Sequence, residues 1–356
     1  MAPRVLMNAG PWLPVPPEGY GGIENVVATL VPELRARGVH VTLATVGTST
    51  LEADARITVF DEPQFPRLRE PYASSVGVAL AHMQGVTDAV GDGAFDLVHD
   101  HQEVVGPATL ALLQDGAPPA LQTLHWDPAR HARFYADFDG RGRVFFAAVS
   151  ARQLEVSPPR LRAQAVGVVL LGVQLDQFPF SATAGDRFVQ LARITPLKGQ
   201  AVSARLGVPV TLAGHVEDDA YWHDEVAPHV DGDVVRYVGS VAGTERLELL
   251  GTAAGALFPV QWEEPGGTAV VEALACGTPV LALRRGCMPE LVDHGVTGFL
   301  ADTPEELAAY ARRVHELDRA ACRRAAQRRF GGGRVAEGYL ELYDAVMRRA
   351  RRTPPG

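Results

Sequence analysis

Short apolar runs alternate with helix-period patterns along the whole chain, and the series breaks and restarts once. No other feature constrains the fold as much. "RVLMNA" (4–9), "HVTLATV", "ITVF", "DLVHDH", "ALQTLH", "VFFAAVS" and "VGVVLLGV" read as strands. After the first of them, "IENVVATLVPELRARG" places Ile23, Val26, Val27, Leu30, Val31 and Leu34 on one helical face and stops at Gly38, with Pro32 expected to bend it. "DQFPFSATAGD" (176–186) interrupts the pattern with turn formers and reads as a connection between domains. A second series follows: "RFVQLA", "VPVTLAG", "VVRYVG", "GALFPV", "PVLAL" and "TGFLA". Near-continuous apolar strands separated by helices mean parallel sheets covered on both faces. The expected fold class is therefore α/β, with two Rossmann-like doubly wound domains facing across a cleft at the carboxyl ends of their strands. A length of 356 residues suits two such domains. Their expected bounds are 1–178 and 179–333, with a C-terminal helix over 334–356 returning toward the first domain.

Composition removes several function classes. The net charge of −9 leaves no general basic surface for nucleic acid. The longest apolar stretch, around "VGVVLLGV", is too short for a bilayer, so no transmembrane segment is expected. "MAPRVLMNAG" reads as a first strand rather than a signal peptide. The cysteines, Cys276, Cys287 and Cys322, show neither CxxC nor metal-ligand spacing, which suggests reduced thiols in a cytoplasmic protein.

The richest stretch is "EEPGGTAVVEALACGTPVLAL" (263–283). It leads from a strand end through Pro-Gly-Gly into a helix expected to start near Thr268. Gly266 and Gly267 let backbone approach a ligand, and the first helical N–H groups together with the helix dipole suit an anion or a polyol. Glu264 precedes the turn and Glu272 lies inside the helix. Read singly, each is equally a cap or an exposed glutamate; the Pro-Gly-Gly between them favours two contacts to one long ligand. Carboxylates repel phosphate, so both are assigned to hydroxyls.

"RITPLKGQ" carries Lys198, the chain's one lysine; every other member of the 33 Lys and Arg is arginine. An ordinary surface position would account for it. A site reading accounts for it too: Arg193 and Lys198 leave the first strand of the second series and would converge on an anion, a planar fork beside a compact ammonium. The segment after Lys198 is short, so the following helix is expected to have about two turns. In the first domain, "PPEGYGGIENVV" offers Gly21 and Gly22 as backbone donors at a helix start, although ordinary turns look the same. It is not the dinucleotide fingerprint. His125 in "TLHWD", with the "HDH" at 99–101, falls at strand ends and is a candidate site residue.

Taken together and in order, these motifs resemble the retaining glycosyltransferases of glycosyltransferase family 4. They are "GG-x-E" (Gly21, Gly22, Glu24), "DLVHDH", "LGVQLDQF", Arg193 with Lys198-Gly199, the glutamates 264 and 272, and "MPELVDHGVTGFL". The opening is similar to the small antibiotic-pathway (avilamycin-type) members. The resemblance implies a GT-B fold, a nucleotide diphosphate sugar as donor and co-substrate, a hydroxyl acceptor on the first-domain side, no further cofactor and no bound metal. It implies that Arg193, Lys198 and the Gly22 backbone hold the diphosphate. Glu272 would take the ribose, Glu264 with the Gly266, Gly267 and Thr268 amides the sugar, and His125 would lie near the sugar. Ala192 stands where a glycine is usual and Gly266 where an aromatic is common. Two rival readings share the architecture: a nucleotide-sugar 2-epimerase, and a non-catalytic sugar-nucleotide-binding partner subunit.

Overall fold

The computed structural model describes residues 3–19, 21–91, 93–114 and 116–352, with Ala73 described only by its backbone. Each run read as a strand from sequence becomes one. In the first unit these are β1 (Arg4–Asn8), β2 (His40–Thr45), β3 (Ala55–Thr58), β4 (Leu97–Asp100), β5 (Ala120–Leu124), β6 (Val144–Ala148) and β7 (Ala165–Val168). All pair in parallel, in the order β3-β2-β1-β4-β5-β6-β7. The chain leaves β1 to one side and returns to β4 on the other, so the order reverses between these two strands, where open α/β sheets bind ligands. The helices here are α1 (Gly22–Ala36), α2 (Tyr72–Val90), α3 (Val105–Leu110), α4 (Ala132–Asp137), α5 (Ala151–Val156) and α6 (Pro159–Gln164). α1 stays helical through Pro32 to Ala36, close to the expected stop at Gly38.

Strand alternation explains the two-sided core. Val5 and Met7 pack with Val27, Leu30 and Leu34 of α1, while Leu6 between them packs with Met83, Val86 and Leu110 on the opposite face.

The second unit holds β8 (Phe188–Leu191), β9 (Val210–Ala213), β10 (Val235–Tyr237), β11 (Ala256–Phe258), β12 (Val280–Leu283) and β13 (Gly298–Ala301). They are parallel in the order β10-β9-β8-β11-β12-β13, reversing between β8 and β11. Its helices are α7 (Gln200–Ala204), α8 (Asp219–Tyr221), α9 (Gly243–Thr252), α10 (Thr268–Ala275), α11 (Met288–Leu291), α12 (Pro304–Ala311) and α13 (Arg319–Phe330). α7 spans five residues, under the two turns expected after Lys198.

The compact units divide at Leu170/Leu171 and Gly331/Gly332, against sequence-derived bounds of 178 and 333. The physical reason lies in the run "VGVVLLGV". Its first part forms β7, whereas Val173 is buried in the second unit and donates its N–H to Phe330 O at 2.9 Å. The stretch 176–186 is fastened to the second unit as well: Ser181 N donates to Cys276 O, and Arg323 donates to Phe178 O and Leu175 O. The last helix, α14 (Gly332–Arg352), belongs to the first unit and packs against α1 and β7, burying Tyr339, Tyr343 and Val346.

Candidate functional site

In the second unit the polar groups gather after β8 and β11, at the strand order's reversal. β8 leads into a loop whose carbonyls are held from below by two buried glutamines. Gln190 Nε2 donates to Lys198 O at 2.7 Å, and Gln200 Nε2 donates to Arg193 O at 2.8 Å. Gly199, with φ 72°, lies so close to Pro259 O that a Cβ there would come within 2.1 Å of it. The loop carrying Arg193 and Lys198 is thereby fixed against the end of β11.

From this loop Lys198 Nζ donates to Glu264 Oε2, and the indole of Trp262 donates to the same oxygen at 2.9 Å. The ammonium also sits 5.3 Å from the Trp262 ring centroid, a cation–π contact. Lys198 and Glu264 are 18% and 12% exposed at the side chain, so the pair is largely withdrawn from water. A compact cation fits between one carboxylate oxygen and one indole, and that is the local reason for lysine here. Gly286 (φ 56°) packs onto the Glu264 backbone, where a Cβ would come within 2.2 Å of its nitrogen, and Cys287 N donates to Glu264 O at 2.8 Å.

α10 starts at Thr268 as expected, behind Gly267 in the left-handed region (φ 62°), and no side chain caps it. Its first N–H groups keep the donor capacity that attracts anions and polyols. Glu272, further along α10, is buried. Its carboxylate meets the Arg246 guanidinium of α9, and burial raises its pKa while Arg246 opposes the rise. Arg193 pairs with Glu217 after β9, both about two-fifths exposed. Exposed pairs of this kind hold weakly and exchange partners at little cost. The structure thus joins Lys198 to Glu264 beside Gly266, Gly267 and Thr268. It gives Arg193 and Glu272 partners of their own.

The first unit has a different polar cluster at the ends of β1, β4 and β5. His101 Nδ1 lies 2.7 Å from His125 Nε2, and His101 Nε2 lies 3.2 Å from Met7 Sδ. A thioether cannot donate, so His101 carries its proton on Nε2 and His125 donates from Nε2. His125 Nδ1 is left as an acceptor. His99 is held by Tyr343 OH and Thr123 Oγ1, each at 2.8 Å, and Thr123 meets Tyr339 OH at 3.1 Å. Burial lowers His99 and His125 to about 3 and His101 well below its ordinary value. Asn8 bridges His82 Nε2 (2.7 Å) and Asp100 Oδ1 (2.6 Å). Burial, opposed by Asn8 and the 101 and 102 amides, pushes Asp100 up to about 8. Gly21 precedes α1 and Gly22 opens it, exposed and without a side-chain cap, while the buried Glu24 is raised to about 7 by desolvation.

Sequence reasoning missed Trp262, Gly286, Gln190, Gln200 and Arg246. Trp262, two residues before Glu264 in "QWEEPGG", was the one with a visible signal, as one of only four tryptophans. Among the described residues no group of three or more His, Cys, Asp or Glu side chains could hold a metal ion, and no helix is long and apolar enough to cross a membrane.

Comparison with known sequences adds the deciding observation. The signature of "Glycosyl transferases group 1" matches residues 189–329, and that of "Glycosyltransferase Family 4" matches residues 20–156. The chain belongs to glycosyltransferase family 4. Among relatives of this glycosyltransferase is the glycogen synthase of Mycobacterium tuberculosis, 28% identical over 298 residues, or 73% of this chain and 71% of that one. Among solved structures, AviGT4, a glycosyltransferase involved in avilamycin A biosynthesis, superposes with a TM-score of 0.69 at 24% identity, covering 97% of this chain and 98% of its own. Anabaena Alr3699/HepE, crystallised with UDP-glucose, gives 0.70 at 17% identity over 96% and 100%. These structural likenesses establish the GT-B fold.

Proposed function

We propose that this glycosyltransferase moves a sugar from a nucleotide diphosphate sugar to an acceptor hydroxyl with retention at the anomeric carbon, using no bound metal and no further cofactor. The observation that carries the reading is the Lys198–Glu264 pair, pinned by Trp262 beside the uncapped start of α10. The ammonium has three protons to donate, so it keeps Glu264 while meeting a phosphate oxygen. Arg193 exchanges Glu217 for the same diphosphate. The Gly267 and Thr268 amides and Glu264 take sugar hydroxyls, and Glu272 takes the ribose. The bond between the anomeric carbon and the phosphate oxygen breaks as the acceptor oxygen bonds to that carbon on the same face. The acceptor proton passes to the departing phosphate oxygen. Negative charge grows on the diphosphate as the bond breaks, so fixed cations favour the transition state over the ground state. His125, Gly21 and Gly22 serve from the first unit, His125 as a neutral acceptor toward the sugar. The three buried free thiols support a cytoplasmic setting.

The test is a thermal-shift screen of UDP, GDP, ADP and their sugars, followed by product analysis in EDTA. Stabilisation by one diphosphate and an anomerically retained glycoside are expected. Epimerised or free sugar as the sole product, or no binding of any diphosphate, defeats the reading.

A further inference from the structure

Arg246 lies in the first turn of α9, and no sequence motif marks it. In the fold it reaches α10, where its guanidinium is in contact with Glu272 Oε1. The Arg246 side chain is 22% exposed and that of Glu272 8%, so the pair is shielded from water. A carboxylate this deeply placed without a cation would take up a proton, since burial already raises its pKa and Arg246 is the group opposing that rise. A guanidinium is rigid and planar, so its contact with Glu272 Oε1 restricts where that carboxylate can sit. The carboxylate offers about four acceptor directions, and Arg246 Nη2 approaches one oxygen. Two neighbouring hydroxyls would use the remaining directions.

We propose that Arg246 is a positioning residue for nucleotide selectivity: by fixing the Glu272 carboxylate against α9 it makes the site prefer ribonucleotides over their 2′-deoxy counterparts. The inference rests on the reading that Glu272 receives the ribose. Arg246 touches no substrate atom and acts through Glu272.

The experiment uses the full chain. UDP, GDP and ADP are titrated first, and the best binder is compared with its 2′-deoxy form in wild type, Arg246→Met, Arg246→Lys and Glu272→Gln. A hydrogen bond to a charged group makes the expected wild-type preference for the ribonucleotide about tenfold or more. Arg246→Met should bring that ratio within about threefold of unity, more than it weakens binding of the 2′-deoxy form. Arg246→Lys keeps a cation against the buried carboxylate and so retains the fold, but it loses the planar fork. Its ratio should fall between the two, about threefold below wild type. A purely structural arginine would weaken both nucleotides alike and leave the ratio unchanged; that result in either variant overturns the proposal while the ribose assignment stands. A wild type showing no dependence on the 2′-hydroxyl, or a Glu272→Gln variant that keeps the full wild-type preference, would instead remove the ribose assignment, and this proposal with it.

Discussion

The two strand-end clusters handle polarity in opposite ways. In the first unit His82, His99, His101 and His125 are all driven toward the neutral form, and Asp100 and Glu24 toward the protonated one. In the second unit the corresponding groups are ion pairs: Lys198–Glu264, Arg246–Glu272 and Arg193–Glu217. Both units place polar residues where the sheet order reverses, so topology alone does not set this contrast. Burial and partners do. Burial drives the first cluster to the neutral form, and its thioether, phenol, amide and hydroxyl partners bring no charge to oppose that, whereas the second matches each carboxylate with a cation from a neighbouring loop or helix. A neutral site suits hydroxyls alone, and a site whose cations stand on carboxylates suits a ligand that carries both a diphosphate and hydroxyls.

The largest expected effect strikes the charged side. Lys198→Met should reduce kcat by about 10²–10³, the loss of one preorganised donor. Lys198→Arg should come close to it, because a planar guanidinium is wider than the ammonium held against Glu264 and Trp262. Steady-state rates with circular dichroism on the same samples check this. Near-normal turnover by Lys198→Arg would break the comparison, since any cation would then serve.

The neutral side predicts a pH effect instead. His82, His99 and His125 have folded values of about 4, 3 and 3 against an ordinary value of about 6.5. Depressed values contribute stability that is complete above about 6.5 and lost as pH falls toward 3–4. Each loses about 2 kcal/mol between pH 7 and 5. Asp100 and Glu24 have the opposite sign: raised to about 8 and 7, they contribute stability that is lost as pH rises through those values. Because the two signs oppose each other, the histidine part is read by difference: hydrogen-exchange protection factors at β4 and β5, which remove the intrinsic slowing of exchange at low pH, should fall less from pH 7 to pH 5 in His99→Gln than in wild type. Equal acid sensitivity at β8 and β9 would erase the difference between the units.

These contrasts also show where sequence stops being informative. Strands were legible because burial on both faces forces continuous apolar runs, and Gly-Gly before "TAVVEALA" announced a helix start. Lys198 stood out by scarcity. The pairing of Arg246 with Glu272 was not legible, because it joins α9 to α10 across 26 positions, and one arginine among many carries no signal. The tyrosines of α14 that hold His99 and Thr123 were hidden for the same reason: a 216- or 244-residue separation leaves no local pattern. Ala192 stands where the resemblance implies a glycine, and only packing shows what lies against it. The close crossing there is relieved from the other strand by Gly214, where a Cβ would come within 1.9 Å of Ala192 O.

A mid-sized effect isolates the helix start. Gly267→Ala puts a side chain at φ 62°, with its Cβ 2.7 Å from Leu291 Cδ1 and 3.1 Å from Cys287 Sγ. Left-handed backbone alone costs about 1–2 kcal/mol, so donor affinity should drop about tenfold in a binding titration. His99 protonation, followed by NMR, should be untouched. A shift there would mean that the two clusters are not independent.

The smallest effect belongs to His125. Its Nε2 proton is committed to His101, so only the Nδ1 lone pair is left for a sugar hydroxyl, and a neutral hydrogen bond is worth about 1 kcal/mol. His125→Phe keeps a ring against His101 and Trp126 but removes both nitrogens. KM for the nucleotide sugar should rise about fivefold while the affinity for the bare diphosphate, which presents no sugar, stays at the wild-type value. The nitrogen chemical shifts of His125 should report a proton on Nε2 at pH 7. Equal weakening of both ligands would mean that the histidine merely supports the loop around it, and the neutral cluster would then be packing rather than recognition.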